Sequence, residues 1–240
     1  MKATTQHTWK CISGSWLKVI AMVTMLIDHV AFFLLSDRFW WVQHLFTAGK
    51  TVVTPLYILR TIGRLAFPIY CFLLVEGFIH TKNRRKYGIN LLVFALVSEL
   101  PWNFVHAGTW LYGEQNVFFT LFFGYCCLCM MERLKERPVV QTVGILGVFL
   151  LSFFFEADYG YIGIAVILVT YLLRRMAVAR AAVNICLLGT TWRAGLAYIP
   201  IGLYNGQRGF IKGRVGKYIC YAFYPLHLLI LGILKFCIFT

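Results

Sequence analysis

The sequence predicts an all-α protein that forms a polytopic transmembrane helical bundle of about eight spans. Hydrophobic residues make up 60% of its 240 residues, and the mean hydropathy is +0.73. Apolar runs long enough to cross about 30 Å of hydrocarbon recur along the whole length. Since no polar block separates these runs, we expect a cytoplasmic N-terminal segment, residues 1–15, and one membrane domain, residues 16–240.

Apolar runs of roughly 17 to 25 residues give eight candidate spans. They lie near residues 16–36, 56–79, 87–105, 116–131, 139–155, 159–174, 182–203 and 218–239. The first span contains Asp28 and His29 and has no small-residue cleavage site, which argues against a cleaved signal peptide. Arginines interrupt the second and seventh spans, so these two are the least regular.

The charge distribution predicts how the bundle is oriented. The net charge of +14 comes from 23 Lys and Arg against 9 Asp and Glu, which first indicates loop orientation and anionic lipid headgroups. We do not expect nucleic-acid binding. Basic residues collect on the side of residues 1–15, which predicts cytoplasmic N- and C-termini. The loop 204–217 is the exception, because its cations would face outward. Either this loop has a special task or the seventh span does not fully cross.

An aspartate and a histidine interrupt the first span. Ionisable residues inside a membrane are costly, so a functional role is the default interpretation. His29 suits a general base, because imidazole accepts protons from amines or hydroxyls near neutral pH. Asp28 points about 100° away round the helix and needs another partner, which Arg60 and Arg64 could supply from one face of the second span. Asp28 is therefore either catalytic or half of an ion pair between helices.

The spacing between Lys18 and His29 predicts a site for a long substrate. Eleven positions of helix cover about 16 Å, from the cytoplasmic surface to a deep position. A molecule with a phosphate-bearing head and a narrow arm would fill that distance, and coenzyme A has this shape. Further cations that could bind the coenzyme come from four arginines: Arg60, Arg64, Arg84 and Arg85. The alternative is that the basic residues only fix the topology.

Other polar residues fall at a common depth in the outer half of the predicted bundle. Residues that line a water-filled cavity share a depth in this way. We expect substrate-binding residues among Glu99, Asn116, Asp158, Tyr204, Asn205, Arg208 and Tyr224. His227 is a further catalytic candidate. For Asn116, hydrogen bonding between helices is the simpler explanation. A transporter could use the same acidic residues and histidines as a proton or substrate pathway.

The eight cysteines indicate neither a metal site nor a disulfide framework. They lie mostly in apolar runs, where cysteine behaves as a small hydrophobic residue. The spacing of Cys126, Cys127 and Cys129 is similar to that of a metal-binding motif. We do not expect a metal site there, because these residues lie in an apolar helix with no histidine close in sequence.

Several ordered motifs resemble those of known membrane acyltransferases. A basic residue, Lys18, followed after ten residues by His29, resembles the first-helix signature of the acyltransferase-3 type. More closely, the chain resembles the TraX family, the pilin acetylase group of conjugation systems. The motifs that carry this resemblance, from about residue 16 to the end, are M-x-I-D-H, G-R-L-A-F-P, E-G-F-x-H-T-x-N-R, S-E-x-P-W-N, I-P-x-x-L-Y-N-G-x-R-G and F-Y-P-L-H-L.

The resemblance implies an integral membrane acetyltransferase in the plasma membrane of a bacterium. It implies transfer of an acetyl group from acetyl-CoA, as co-substrate, to an amine such as a pilin N-terminus. An O-acetyltransferase acting on a hydroxyl of a cell-surface glycan or lipid is the alternative among enzymes. A transporter and a non-catalytic membrane partner of a conjugation or secretion assembly are alternatives of other classes. The sequence leaves the oligomeric state open.

Overall fold

The computed structural model describes residues 9–49 and 51–238. The first helix, α1, spans Gly14–Val30, and a π-helical turn, Ala31–Leu35, continues it. Ser13 caps α1 by accepting a hydrogen bond from the Trp16 amide. The next elements are α2 (Phe39–Val42), β1 (Phe46–Ala48), β2 (Thr51–Val53), α3 (Pro55–Gly63) and α4 (Ala66–His80).

The rest of the described chain, from α5 onward, forms helices connected by turns and loops. Its elements are α5 (Arg84–Ala107), α6 (Val117–Arg133), α7 (Pro138–Phe154), α8 (Gly160–Leu172), α9 (Ala177–Leu188), a 3-10 segment (Gly189–Ala197), α10 (Tyr198–Gly202), α11 (Gly213–Ile233) and a π-helical turn (Leu234–Ile238). Asn83 and Asn116 cap α5 and α6 through their side-chain oxygens.

The helical, membrane-type architecture predicted from the sequence is confirmed. Four helical segments of the described residues are long and apolar enough to cross a membrane: Gly14–Leu35, Pro55–His80, Arg84–Ala107 and Gly213–Cys237. The helices α7, α8 and α9 are apolar but shorter. The count of eight spans therefore stays a prediction.

The strands β1 and β2 form a short antiparallel hairpin that the sequence interpretation placed in a loop. β-branched and aromatic side chains favour extended backbone here. Gly49 follows β1 with a φ of +62°, a conformation that a residue with a Cβ rarely adopts. The hairpin connects the π-helical end of α1 to α3.

The segment predicted as the seventh span is re-entrant. Near its start, the Arg180 guanidinium carbon lies 5.1 Å from the ring centroid of Phe72 on α4. Beyond its end, the Tyr204 ring lies 5.3 Å from the same ring. The two ends of the segment therefore lie at the same end of the bundle, near Phe72, and the 3-10 segment packs against α9. Hydropathy does not distinguish a segment that crosses the bundle from one that turns back, because both bury the same apolar residues.

The loop 204–217 consequently lies beside the N-terminal segment. The Ile12 amide donates to the Leu203 carbonyl at 3.0 Å, and the Asn205 amide donates to the Ile12 carbonyl at 2.9 Å. This contact agrees with the second of the two alternatives, in which the seventh span does not fully cross. We call this side of the bundle, formed by residues 9–18, the turn 80–86 and the loop 204–217, the basic end.

The described ends of the chain lie at opposite ends of the bundle. The helices α11 and α5 pack in the same direction, and Lys235 Nζ donates to the Val105 carbonyl at 3.1 Å, far along α5. The N-terminal segment lies at the basic end, where α5 begins. The two described ends of the chain therefore do not lie at the same end of the bundle, and the orientation of the termini in the membrane stays a prediction.

Candidate functional site

A large cavity joins the basic end to the middle of the bundle. Its volume is about 720 Å³, within the range of roughly 300–1,000 Å³ that is usual for small-molecule sites. Lys18 lines the cavity near the basic end, and His29 lines its deep part. The two residues that the sequence interpretation connected by distance thus face one continuous space.

Four cations surround the mouth of this cavity, and each comes from a different element. Lys18 belongs to α1, Lys86 to the first turn of α5, Arg208 to the loop after α10, and Lys217 to the first turns of α11. Like charges repel, so a bound anion would stabilise this arrangement. The mouth therefore suits a ligand with several negative charges.

Ser15 fixes the loop that carries Arg208. Its buried hydroxyl donates to the Arg208 carbonyl and accepts from the Ile211 amide, both at 2.8 Å. Gly209 has a φ of +82°, and a Cβ there would overlap the side chain of Ser13. The loop is thus tied to the start of α1, which keeps Arg208 beside Lys18.

Tyr204 also lies at the mouth and not in the outer half. It lines the cavity, and burial together with the nearby Glu76 carboxylate raises the pKa of Tyr204 to about 12. Its hydroxyl therefore stays protonated at neutral pH and can donate a hydrogen bond. Asn205 does not line the cavity, because its side chain accepts from the Gln207 amide at 2.9 Å. The sequence predicted Tyr204, Asn205 and Arg208 in the outer half of the bundle. They lie at the basic end, because the re-entrant segment returns the chain to that end.

The two arginines of the basic turn do not line the cavity. Arg84 Nη2 lies 3.7 Å from a Glu132 carboxylate oxygen, and its guanidinium covers the Phe78 ring at 4.4 Å. Arg85 is exposed. Asn83 caps the helix at this point, and the helical phase that follows turns Lys86 toward the cavity. Arg84 and Arg85, which the sequence predicted to contact the coenzyme, thus do not line the cavity, whereas Lys86 does.

Asp28 forms the predicted ion pair with the second span. Its Oδ2 lies 2.8 Å from Arg60 Nη1, and both groups are largely buried. Gly63 permits this approach, because a Cβ there would overlap Asp28. Arg64 lies one turn further on, and its Nη1 donates to the Tyr159 hydroxyl at 3.3 Å. Both arginines line the deep part of the cavity, so they face the end of a bound substrate that is remote from the mouth.

His29 is hydrogen-bonded to His227 behind it. The His29 Nδ1 and His227 Nε2 atoms are 2.6 Å apart, and the His227 Nδ1 lies 2.7 Å from the Phe223 carbonyl oxygen. A carbonyl only accepts, so His227 Nδ1 carries a proton and its neutral Nε2 accepts from His29 Nδ1. The Nε2 of His29 then keeps its lone pair and makes no hydrogen bond within the described residues. This arrangement prepares His29 as a base.

Tyr224 lies next to His29. It lines the cavity, its ring centroid lies 6.2 Å from that of His29, and the residue is 3% exposed. Its hydroxyl proton has no acceptor among the described residues. A buried donor without an acceptor is costly, so this proton is available to an oxygen of a bound substrate.

The remaining predicted substrate residues divide into two groups. Asp158 lines the cavity, and its backbone carbonyl accepts a hydrogen bond from the Thr120 hydroxyl. Glu99 and Asn116 do not line the cavity. Asn116 is fully buried and donates to the Ala95 carbonyl at 2.8 Å and to Glu99 Oε2 at 2.5 Å. The interhelical explanation for Asn116 is therefore correct.

Several ionisable residues that line the cavity were not among the predicted site residues, among them His106, Glu114 and Lys217. The sequence indicated only a topological role for Lys217. His106 lies in the last turn of α5, near the end of an apolar run, where a polar residue is usual, and the packing of the helices brings it to the cavity. A search for every ionisable residue within one turn of a span would have found it.

Comparisons with known proteins agree with the sequence motifs. The chain matches the family profile described as TraX protein over residues 13–235. It is 30% identical over 251 residues to the probable fimbrial assembly protein FimC, serogroup H1, of Dichelobacter nodosus. That alignment covers 91% of this chain and 94% of the relative. No solved structure matches the chain.

Proposed function

The chain belongs to the TraX family, and from this premise we propose that it is a membrane acetyltransferase that uses acetyl-CoA. We place it with the acyltransferase-3 type of membrane enzymes. One observation carries the proposal: the cavity has a cationic mouth, and a base with a free lone pair lies about 16 Å along α1 from it.

The mouth suits the phosphates of the coenzyme. Arg208 offers a planar guanidinium that can bind a phosphate through two hydrogen bonds, and the lysines add point charges. The narrow pantetheine arm would run along α1 past Met22 and Met25, whose apolar side chains line the cavity between the two ends. The thioester would then lie next to His29.

The proposed reaction forms an amide and releases the thiol of coenzyme A. The acceptor nitrogen attacks the thioester carbonyl, and His29 Nε2 takes the proton that the nitrogen loses. The bond between the carbonyl carbon and sulfur breaks, and the same proton passes from His29 to the leaving thiolate. His227 holds His29 in the tautomer that this transfer needs.

The tetrahedral intermediate carries an oxyanion that needs donors. The Tyr224 hydroxyl is such a donor, because it is buried and its proton has no acceptor among the described residues. Arg64 also lines this part of the cavity. A fixed donor in a water-poor site stabilises the transition state by about 3–4 kcal/mol.

The acceptor we propose is an amine of a pilus or fimbrial subunit. The relative's name, fimbrial assembly protein, supports a pilus-related acceptor. The basic end would face the cytoplasm of a bacterium, where acetyl-CoA is made, and the enzyme would lie in the inner membrane. Acetylation of a hydroxyl on a glycan or lipid is the alternative acceptor chemistry, and product analysis separates the two.

The test measures acetyl transfer by purified protein in detergent. The assay follows release of coenzyme A and the mass of the product, using a pilin-type peptide with a free N-terminus as acceptor. We expect His29→Ala to lower kcat at least about 100-fold. His44→Ala is the matched control, because the exposed His44 lies just before the hairpin, outside the cavity, and its ring nitrogen bonds to Thr47. Full activity in His29→Ala would exclude the mechanism.

A further inference from the structure

A second histidine lines the deep part of the cavity and takes no part in the reaction described above. His106 lies at the end of α5. Its ring and that of His29 both contact Phe33, at centroid distances of 4.8 Å and 5.8 Å. The cavity therefore has two imidazoles in its deep part, on different helices.

The tautomer of His106 is fixed in the same way as that of His227, by the backbone carbonyl four residues earlier in its helix. Its Nδ1 lies 2.9 Å from the Trp102 carbonyl, which can only accept, so Nδ1 carries the proton. Nε2 is left with its lone pair and makes no hydrogen bond within the described residues. The ring is held by Tyr112, stacked at 4.8 Å, and by the edge of Phe33. His106 is thus a second oriented base.

His106 lies on the way from the opposite end of the bundle to His29. It belongs to the last turn of α5, whereas the basic end holds the first turn. Glu114, in the loop that follows, is exposed and also lines the cavity. The cavity thus extends from His29 toward this end. An acceptor that enters here meets His106 before it meets His29.

An amine acceptor must lose two protons, whereas a hydroxyl loses one. At neutral pH an amine is mostly an ammonium ion, which has no lone pair and cannot attack. One proton must leave before attack and the second during attack. We propose that His106 takes the first proton from the acceptor ammonium and that His29 takes the second. This role rests on the proposed acetyltransferase function and deepens it.

The proton balance is complete. The ammonium gives a proton to neutral His106 Nε2 and becomes a neutral amine, and the resulting imidazolium releases its proton to solvent past Glu114. The amine then attacks, and His29 carries the second proton to the thiolate. The charged and titratable groups around His106 are His29 from α1, Tyr112 and Glu114 from the loop, and Lys235 from the π-helical turn after α11.

The experiment compares two acceptors that differ in one group. One is a short peptide with a free terminal amine, and the other is the same peptide with a hydroxyl in place of that amine. Acetyl transfer from acetyl-CoA is measured for the wild type, His106→Gln and His44→Gln between pH 6.5 and 9. A terminal amine has a pKa of about 8, so roughly one-tenth is neutral at pH 7.

We expect His106→Gln to lower kcat/KM for the amine peptide about tenfold at pH 7 and to regain the wild-type value near pH 9, where the amine is neutral by itself. The hydroxyl peptide should react equally with wild type and variant. Equal losses with both peptides, or a loss that persists at pH 9, would overturn the role of His106 and leave the acetyltransferase proposal standing. A wild type that acetylates neither peptide would overturn both.

Discussion

The Nδ1 atom of His29 and the Nε2 atom of His227 lie 2.6 Å apart, with their rings within 5° of parallel. The Phe223 carbonyl fixes the proton of His227 on its other nitrogen. A backbone carbonyl on α11 therefore determines, through two imidazoles, which nitrogen of His29 faces the cavity.

This chain of hydrogen bonds predicts the behaviour of His227 variants. His227→Ala removes the acceptor for His29 Nδ1, so the wrong tautomer becomes accessible, and kcat for acetyl transfer should fall about 10- to 100-fold. The KM for acetyl-CoA should stay within twofold. His227→Gln should recover part of kcat, because an amide oxygen can accept the same hydrogen bond. A glutamine variant as impaired as the alanine variant would assign His227 a packing role.

The ion pair between Asp28 and Arg60 predicts non-additive stabilities. Each single variant, Asp28→Asn or Arg60→Met, leaves one largely buried charge without its partner and should lower the melting temperature in detergent. The double variant should be more stable than the sum of the two changes implies, with a coupling energy of about 1–3 kcal/mol. Thermal unfolding of the four proteins measures it. Additive effects would show that the pair does not hold α1 to α3.

The cations of the mouth predict a salt-dependent loss of coenzyme affinity. Lys18→Ala, Lys86→Ala, Arg208→Ala and Lys217→Ala should each weaken coenzyme A binding, by about three- to tenfold at low ionic strength. The difference from wild type should shrink as salt is added, because screening weakens the wild-type contacts too. Arg85→Ala is the control, since this exposed arginine lies outside the cavity. Calorimetric titration with coenzyme A reports the affinities, and a larger loss from Arg85→Ala than from Lys86→Ala would place the phosphates elsewhere.

The re-entrant segment predicts which cysteines are labelled from which side of the membrane. Variants that keep a single cysteine at Cys11, at Cys237 or at an introduced Gln207→Cys all present an exposed position. A membrane-impermeant maleimide should label Cys11 and Gln207→Cys from the same side of sealed vesicles, and Cys237 from the other. Labelling of Gln207→Cys together with Cys237 would mean that the segment 177–203 crosses fully.

Local sequence features determined much of this protein. Hydropathy alone gave the helical membrane class, because about 20 apolar residues in a row have few alternatives to a spanning helix. The cost of a lone charge in an apolar run indicated an arginine partner for Asp28, and the structure selected Arg60 over Arg64. The distance from Lys18 to His29 followed from the fixed rise of a helix.

Only the tertiary structure decided which residues of different helices contact one another. Whether the segment 177–203 crosses or returns depends on its packing against α4, since either path buries its apolar residues equally well. That choice moved Arg208 and Tyr204 to the mouth and the described C-terminal end to the other side. The pairing of His29 with His227 and the approach of His106 join residues far apart in the chain. Hydrophobic periodicity says which face of a helix is buried, but not which partner it meets there.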